Sequence, residues 1–431
     1  MKKAYIFLTA VFLGALISSS LYAQSYAITN ATVVTVTGGT IANGTVVIEG
    51  DRIAAVGTSV QIPPGAERID GTGLFVYPGI IDVNTAVGLV EISGIWQTTD
   101  NTESGTYNTY IRASQGVNSN SNMINIGRFN GLTSVITVPN GGIIAGQEVL
   151  LNLDGWTVDE MTVKDPVAMQ FTFPVARSGG GRGGRPQQES GEQQVSPEDR
   201  IKEVKDLLEK TRRYIKAVED FEAQVRPTPP PADLTLMALI PVVKREIPMT
   251  ITVSGVDNIR KAIDFVVEEN IKAVFAGANE AYKIANEIAD AGIGVIYSDV
   301  LRLPGMEEPY DLYYTIPRFL YEAGVQFAIN ISNQSDIRNT PFLAGMAAAY
   351  GLPKEEALRS VTINPARMYG IDDIMGSIEV GKMANVVVAD GDLLEPRTHV
   401  LHSFIRGRKV ELEASEDYRL YEKFRLRPIK K

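Results

Sequence analysis

The chain has 431 residues, with 41 Lys and Arg against 51 Asp and Glu, two His and no Cys. At 44% hydrophobic and 21% charged it has an ordinary globular balance and is long enough to bury a core without disulfides or structural metals. The missing cysteines exclude Cys₄ zinc sites, iron–sulfur clusters and thiol catalysis. Two histidines allow only a sparse metal site, and a net charge of −10 argues against a nucleic-acid-binding surface.

The N-terminus reads as a processing signal. Lys2 and Lys3 precede an apolar run over residues 4–17, then serines and Leu21-Tyr22-Ala23 before Gln24. This is the pattern of a secretory signal peptide at 1–23, and the run is shorter than the ~20 residues that span a bilayer. No Cys follows the cut, so no lipid anchor is expected. Losing Lys2 and Lys3 takes the formal charge from −10 to −12. The mature chain is expected to be exported, periplasmic or extracellular, with no membrane contact and no nucleic-acid partner.

Residues 26–57 alternate strand and turn, with Gly38-Gly39, Asn43-Gly44 and Gly50-Asp51 at the bends. Residues 376–390 and 400–410 repeat this chemistry near the other end, around the buried run Val386-Val387-Val388. One β-domain built from 24–74 and 376–413 follows, with 414–431 as a C-terminal tail. Between the two segments, strand candidates at 75–82, 132–138, 250–253, 273–276, 295–297 and 327–331 are joined in the later part by helical patterns at 257–268, 280–291 and 312–323. The predicted architecture is α/β, an eight-stranded (β/α)₈ TIM-type barrel over 75–375 with a composite β-sandwich domain. Two of the eight strands have no clear place in the sequence. Residues 178–194, rich in Gly, Arg and Gln, read as a loop. Ser196-Pro197-Glu198-Asp199 then starts an inserted helix over 197–225, with Ile201, Val204, Leu208, Ile215 and Val218 on one face and Pro227 beyond its end.

The stretch Tyr77-Pro78-Gly79-Ile80-Ile81-Asp82-Val83-Asn84-Thr85-Ala86 resembles the first-strand motif of the amidohydrolase superfamily, where Pro-Gly-apolar-apolar-Asp precedes His-x-His. Thr362-Ile363-Asn364-Pro365-Ala366, Gly370 and Gly376-Ser377-Ile378-Glu379-Val380-Gly381-Lys382-Met383-Ala384-Asn385 resemble the C-terminal signature of that family. The similarity is greatest to the imidazolonepropionase-like branch, in secreted members with a Leu-Asp-Gly-Trp segment, here Leu153-Asp154-Gly155-Trp156. The resemblance implies metal-assisted hydrolysis of C–N bonds at the C-terminal mouth of the barrel, with zinc or another divalent ion held by His-x-His, two later His and an Asp.

Carried over to this sequence, those ligand positions are Asn84 and Ala86 on the first strand, Thr252 on the fifth, Gly277 after the sixth and Ser332 after the eighth. None is a family ligand. The two histidines, His399 and His402, fall beside a late strand of the β-domain, and Lys244 precedes the fifth strand rather than ending the fourth, where a bridging carboxylated Lys would stand. Glu91, Asp100, Glu103, Glu280, Asp299 and Asp336 lie near predicted strand ends and read more simply as caps and loop charges than as an acid/base pair or a Ca²⁺ site. No G-x-S-x-G elbow or phosphate-binding glycine loop is present. The expected cofactor is therefore none. The expected role is a non-catalytic binding or subunit protein, associated with an active amidohydrolase relative or with copies of itself. The alternative is an active C–N hydrolase with other ligands.

Overall fold

The computed structural model describes residues 25–175, 195–331, 333–412 and 416–426. The signal peptide expected at 1–23 and the loop expected at 178–194 lie outside them. Two eight-stranded sheets organise the chain.

The first sheet takes five strands from the N-terminal side, β1 (Ser25–Val34), β2 (Thr40–Glu49), β3 (Arg52–Gly57), β4 (Glu67–Asp70) and β5 (Phe75–Pro78). The chain then enters the second sheet. Its strands are β6 (Ile80–Thr85), β7 (Leu132–Thr137), β8 (Ile144–Asn152), β9 (Thr162–Thr172), β10 (Met249–Thr252), β11 (Ala273–Ala276), β12 (Gly294–Tyr297) and β13 (Phe327–Ile329). It returns to the first sheet for β14 (Val386–Ala389), β15 (Val400–Ile405) and β16 (Arg408–Val410). β5 pairs with β1 on one side and β14 on the other, so both chain ends build one sheet. That sheet encloses its own core, in which Tyr26, Ile28, Val46, Ile48, Val386 and Phe404 pack together.

Residues 75–82, read above as one strand, are two strands in different sheets. Gly79 is the pivot. Its N–H donates to the Asn385 carbonyl at 2.9 Å, and a Cβ there would lie 2.0 Å from Thr133 Oγ1, so only glycine fits.

The barrel strands follow one another in chain order. All neighbours are parallel except around β8, which runs antiparallel to both β7 and β9. The reason is local. Only residues 138–143 connect β7 to β8, and they carry Asn140-Gly141-Gly142 with both glycines at positive φ, while a parallel crossover needs a dozen or more residues. Closure between β13 and β6 runs through the neighbouring peptides. Ile81 N donates to Val361 O at 2.9 Å and Ile329 N donates to Ser360 O at 3.1 Å.

The inserted helix spans Pro197–Glu222. Ser196 Oγ accepts from Asp199 N at 3.0 Å, Pro197 occupies the first turn, and Val204, Leu208 and Thr211 are buried against the helix Leu234–Val243 and the main core. The tail is not structureless. Glu416–Arg425 is a helix, with Leu420, Tyr421 and Phe424 exposed.

Candidate functional site at the barrel mouth

The C-terminal ends of the parallel strands form the mouth, where side chains from several strands converge. Asn84 is the penultimate residue of β6, half-buried, with φ +56, a left-handed value that Asn tolerates better than most residues. Ala86 follows the strand and is also half-buried. Thr252 ends β10, and Gly277 directly follows β11 with φ +66. These last two are neighbours, since a Cβ on Gly277 would sit 3.7 Å from Thr252 Cγ2. Ser332 lies outside the described residues. The residue that the eighth strand carries inward is Asn330, fully buried one position past β13.

Two residues that the sequence did not single out complete this layer. Gln170, on the fourth barrel strand, donates from Nε2 to Thr252 Oγ1 at 3.0 Å. Asn330 donates from Nδ2 to Val83 O at 2.6 Å and accepts from Ser298 Oγ at 2.5 Å, so it ties the first, seventh and eighth strands together. Strand order makes Gln170, rather than Lys244, the residue near the end of the fourth strand. These groups are neutral amides and hydroxyls, and of their amide oxygens that of Gln170 is buried without a partner.

This donor set does not fit a catalytic zinc ion, which takes His, Cys or carboxylate ligands. Ala86 and Gly277 offer no side-chain donor. Thr252 already accepts from Gln170, and Asn330 is engaged at both ends of its amide. Among the described residues, no three His, Cys, Asp or Glu side chains gather closely enough to hold a metal ion.

Most of the acidic residues near strand ends have local partners. Glu91 accepts from Asn118 at 3.3 Å, Asp299 pairs with Arg302 at 3.2 Å, Glu280 pairs with Lys283, and Asp336 accepts from Asn333 at 2.8 Å. His402 lies on β15. His399 precedes that strand, with Nδ1 3.0 Å from Asp390 Oδ2. Both histidines line a surface cavity of about 920 Å³ with Lys409 and Arg419, on the β-domain side of the molecule.

Two buried carboxyls stand apart. Asp82, on β6, accepts from Thr340 Oγ1 at 2.9 Å through one oxygen, while the other has no partner. Burial pushes its carboxyl up to about 8 against the lowering effect of Thr340 and the Ile331 N–H. Glu148, on the reversed strand β8, is fully buried with both oxygens unpartnered, and burial pushes it up to about 8 as well.

Residues 315–410 match the amidohydrolase family model. The chain is 25% identical over 391 residues to an imidazolonepropionase of Fusobacterium nucleatum subsp. nucleatum, covering 80% of this chain and 84% of that protein. It is 26% identical over 137 residues to an N-acetylglucosamine-6-phosphate deacetylase of Caenorhabditis elegans, 31% of each chain. Among solved structures, an amidohydrolase from Thermotoga maritima MSB8 superposes with a TM-score of 0.77 at 26% identity, covering 90% of this chain and 99% of that one. The matched C-terminal segment, the relative aligned along most of the chain and the eight-stranded barrel agree: the chain carries an amidohydrolase family domain, is homologous to an imidazolonepropionase, and has its structural neighbours in the amidohydrolase superfamily.

Proposed function

We propose that this chain is an exported amidohydrolase-fold protein that works by binding rather than by metal-dependent hydrolysis, as the non-catalytic partner of an active relative. One observation carries the reading. Where the family places His ligands, the chain offers Asn84, Ala86, Thr252 and Gly277, none of which carries an imidazole, a thiolate or a carboxylate. Water activation by a metal needs ligands that hold the ion while leaving a position open. Neutral amides and hydroxyls do not supply the negative charge or the imidazole nitrogens that hold such an ion. The basic-apolar-small pattern of residues 1–23 supports export.

The relatives named above are hydrolases, which keeps hydrolysis of a C–N bond by other groups as the competing reading. A direct experiment separates the two. The mature protein is expressed with zinc and manganese supplied, dialysed mildly, and assayed for bound metal and for turnover of dipeptides and lactams. The expected result is sub-stoichiometric metal and no turnover, with a relative of the same fold recovered from the native source in a pull-down. One retained ion per chain, or turnover by the unmodified protein, overturns the binding reading.

A further inference from the structure

Glu148 lies on the inward face of the reversed strand. Its neighbour Gln147 faces outward, donating from Nε2 to Thr109 O at 3.0 Å, and successive strand residues point to opposite sides. Across the sheet Glu148 pairs with Ala168 on β9. Two residues further along β9, on the same face, stands Gln170, whose Oε1 is buried without a partner. Gln170 in turn pairs with Thr250 on β10, and Thr250 Oγ1 lies 3.3 Å from the hydroxyl of the fully buried Tyr369. Three adjacent strands and one capping tyrosine thus bring oxygen atoms to one region of the barrel interior, a layer below Thr252. The carboxylate pair and the Gln170 carbonyl oxygen have no hydrogen-bond donor. The Thr250 hydroxyl lies beside Glu148 but outside hydrogen-bonding geometry.

Buried acceptors without donors are costly, and a buried charge needs a counter-charge. Among the described residues no Lys, Arg or His acts on Glu148, whose surroundings exert only burial and the Thr250 hydroxyl. An all-oxygen set selects a hard cation. With a single carboxylate, a divalent ion would leave an excess positive charge inside an apolar barrel, whereas a monovalent ion balances it. We propose that Glu148, Gln170, Thr250 and Tyr369 bind a monovalent alkali cation, sodium or potassium, inside the barrel below its mouth. Occupancy competes with protonation of Glu148, so it grows as the pH rises.

The test is thermal unfolding of the full mature protein at mildly alkaline pH in sodium, potassium or choline chloride at equal ionic strength. A ligand that binds only the folded state raises Tm by mass action. The expected result is a saturable rise of a few degrees in one of the alkali salts over choline, absent in Glu148→Gln and shrinking as the pH falls. Equal Tm in all three salts overturns the proposal and leaves Glu148 as a buried neutral acid. A salt effect that persists in Glu148→Gln also overturns it, because the ion then acts elsewhere. Should that variant fail to fold, anomalous scattering from crystals of the unmodified protein soaked in rubidium chloride decides. A peak beside Glu148 supports the site, and an empty barrel interior refutes it.

Discussion

The first barrel strand contains two adjacent stretches with opposite fates. From Pro78 to Asp82 the chain matches the superfamily motif, and two of the matching residues do visible structural work. Gly79 lets the backbone pass against Thr133, and Asp82 holds Thr340 at the start of the helix Thr340–Ala349. From Asn84 to Ala86 the match stops, at the point where side chains leave the fold and enter the mouth. The C-terminal signature behaves like the first stretch. Asn385 donates to Ser134 Oγ at 2.9 Å and Asn152 Oδ1 at 2.8 Å, and accepts from Arg406 N at 2.8 Å, which joins the β-domain to the barrel floor. The motif therefore divides within one strand into a half that builds the scaffold and a half at the barrel mouth, where the chemistry of this fold is carried.

The comparison is tested most strongly at Gly79. In Gly79→Ala the new Cβ would meet both branches of Thr133, Oγ1 at 2.0 Å and Cγ2 at 2.3 Å, so rotating that side chain exchanges one clash for another. The expected loss is about 3 kcal/mol in urea unfolding. Thr133→Ala should restore only part, because the Thr133 Cβ itself lies 2.6 Å away. A loss under about 1 kcal/mol would mean that the pivot is looser than the packing implies.

Asn385→Ala comes next. It strips partners from the Arg406 N–H, Ser134 and Asn152, all at a buried junction, and should cost about 2 kcal/mol. If the junction is the only element affected, the β-domain should become more sensitive to proteolysis before the barrel does. Simultaneous loss of both would show that the two sheets unfold as one unit.

The fold was legible where strands are short apolar runs between helices, as at 273–276, which the structure reproduces residue for residue as β11. It was not legible at β8 and β9. β8 carries Gly146-Gln147-Glu148 in its middle and β9 carries Lys164-Asp165-Pro166, so neither reads as a continuous buried run. Asn140-Gly141 is a hairpin signal that an expectation of uniform βαβ units leaves out. At the mouth, the strand-end places of Asn84, Thr252 and Gly277 followed from the motif and the short apolar runs. Gln170 and Asn330 did not, because their place depends on strand register and on where β13 ends.

Asp82 gives a smaller, pH-dependent effect. Its carboxyl titrates near 8 when folded and near an ordinary Asp value, about 3.9, when unfolded. Between those values the folded state holds a proton that the unfolded state has released. Its contribution is fully present below about pH 4 and is lost as the pH rises toward 8, with a slope of about −1.4 kcal/mol per pH unit. Asp82→Asn, neutral throughout, should remove one proton's worth of that slope in urea titrations across the range. An unchanged slope would place Asp82 in contact with a counter-charge or water that keeps it ionised.

The smallest effect is expected at the mouth, where Asn84→His and Ala86→His would restore the first-strand ligand pair. Both positions are half-buried, and His is among the few side chains that tolerate the positive φ of Asn84, so stability should change by no more than about 0.5 kcal/mol. Zinc should bind weakly and hydrolysis should not appear. A catalytic zinc ordinarily has three protein ligands and a water, and here the third would have to come from Thr252, Gly277 or Asn330. Thr252 is committed to Gln170, Gly277 has no side chain, and Asn330 holds the barrel seam through Val83 and Ser298. Adding Thr252→His and Gly277→His completes a four-imidazole set, yet metal-binding imidazoles also need partners that orient them, and an unoriented set is weaker by about 10–100-fold in affinity or activity. Isothermal titration with zinc and a lactam assay on the parent, double and fourfold variants read this directly. Tight zinc binding by the double variant would mean that a third ligand already faces Asn84 and Ala86, and that the scaffold and chemical halves of the motif are less separable than the structure implies.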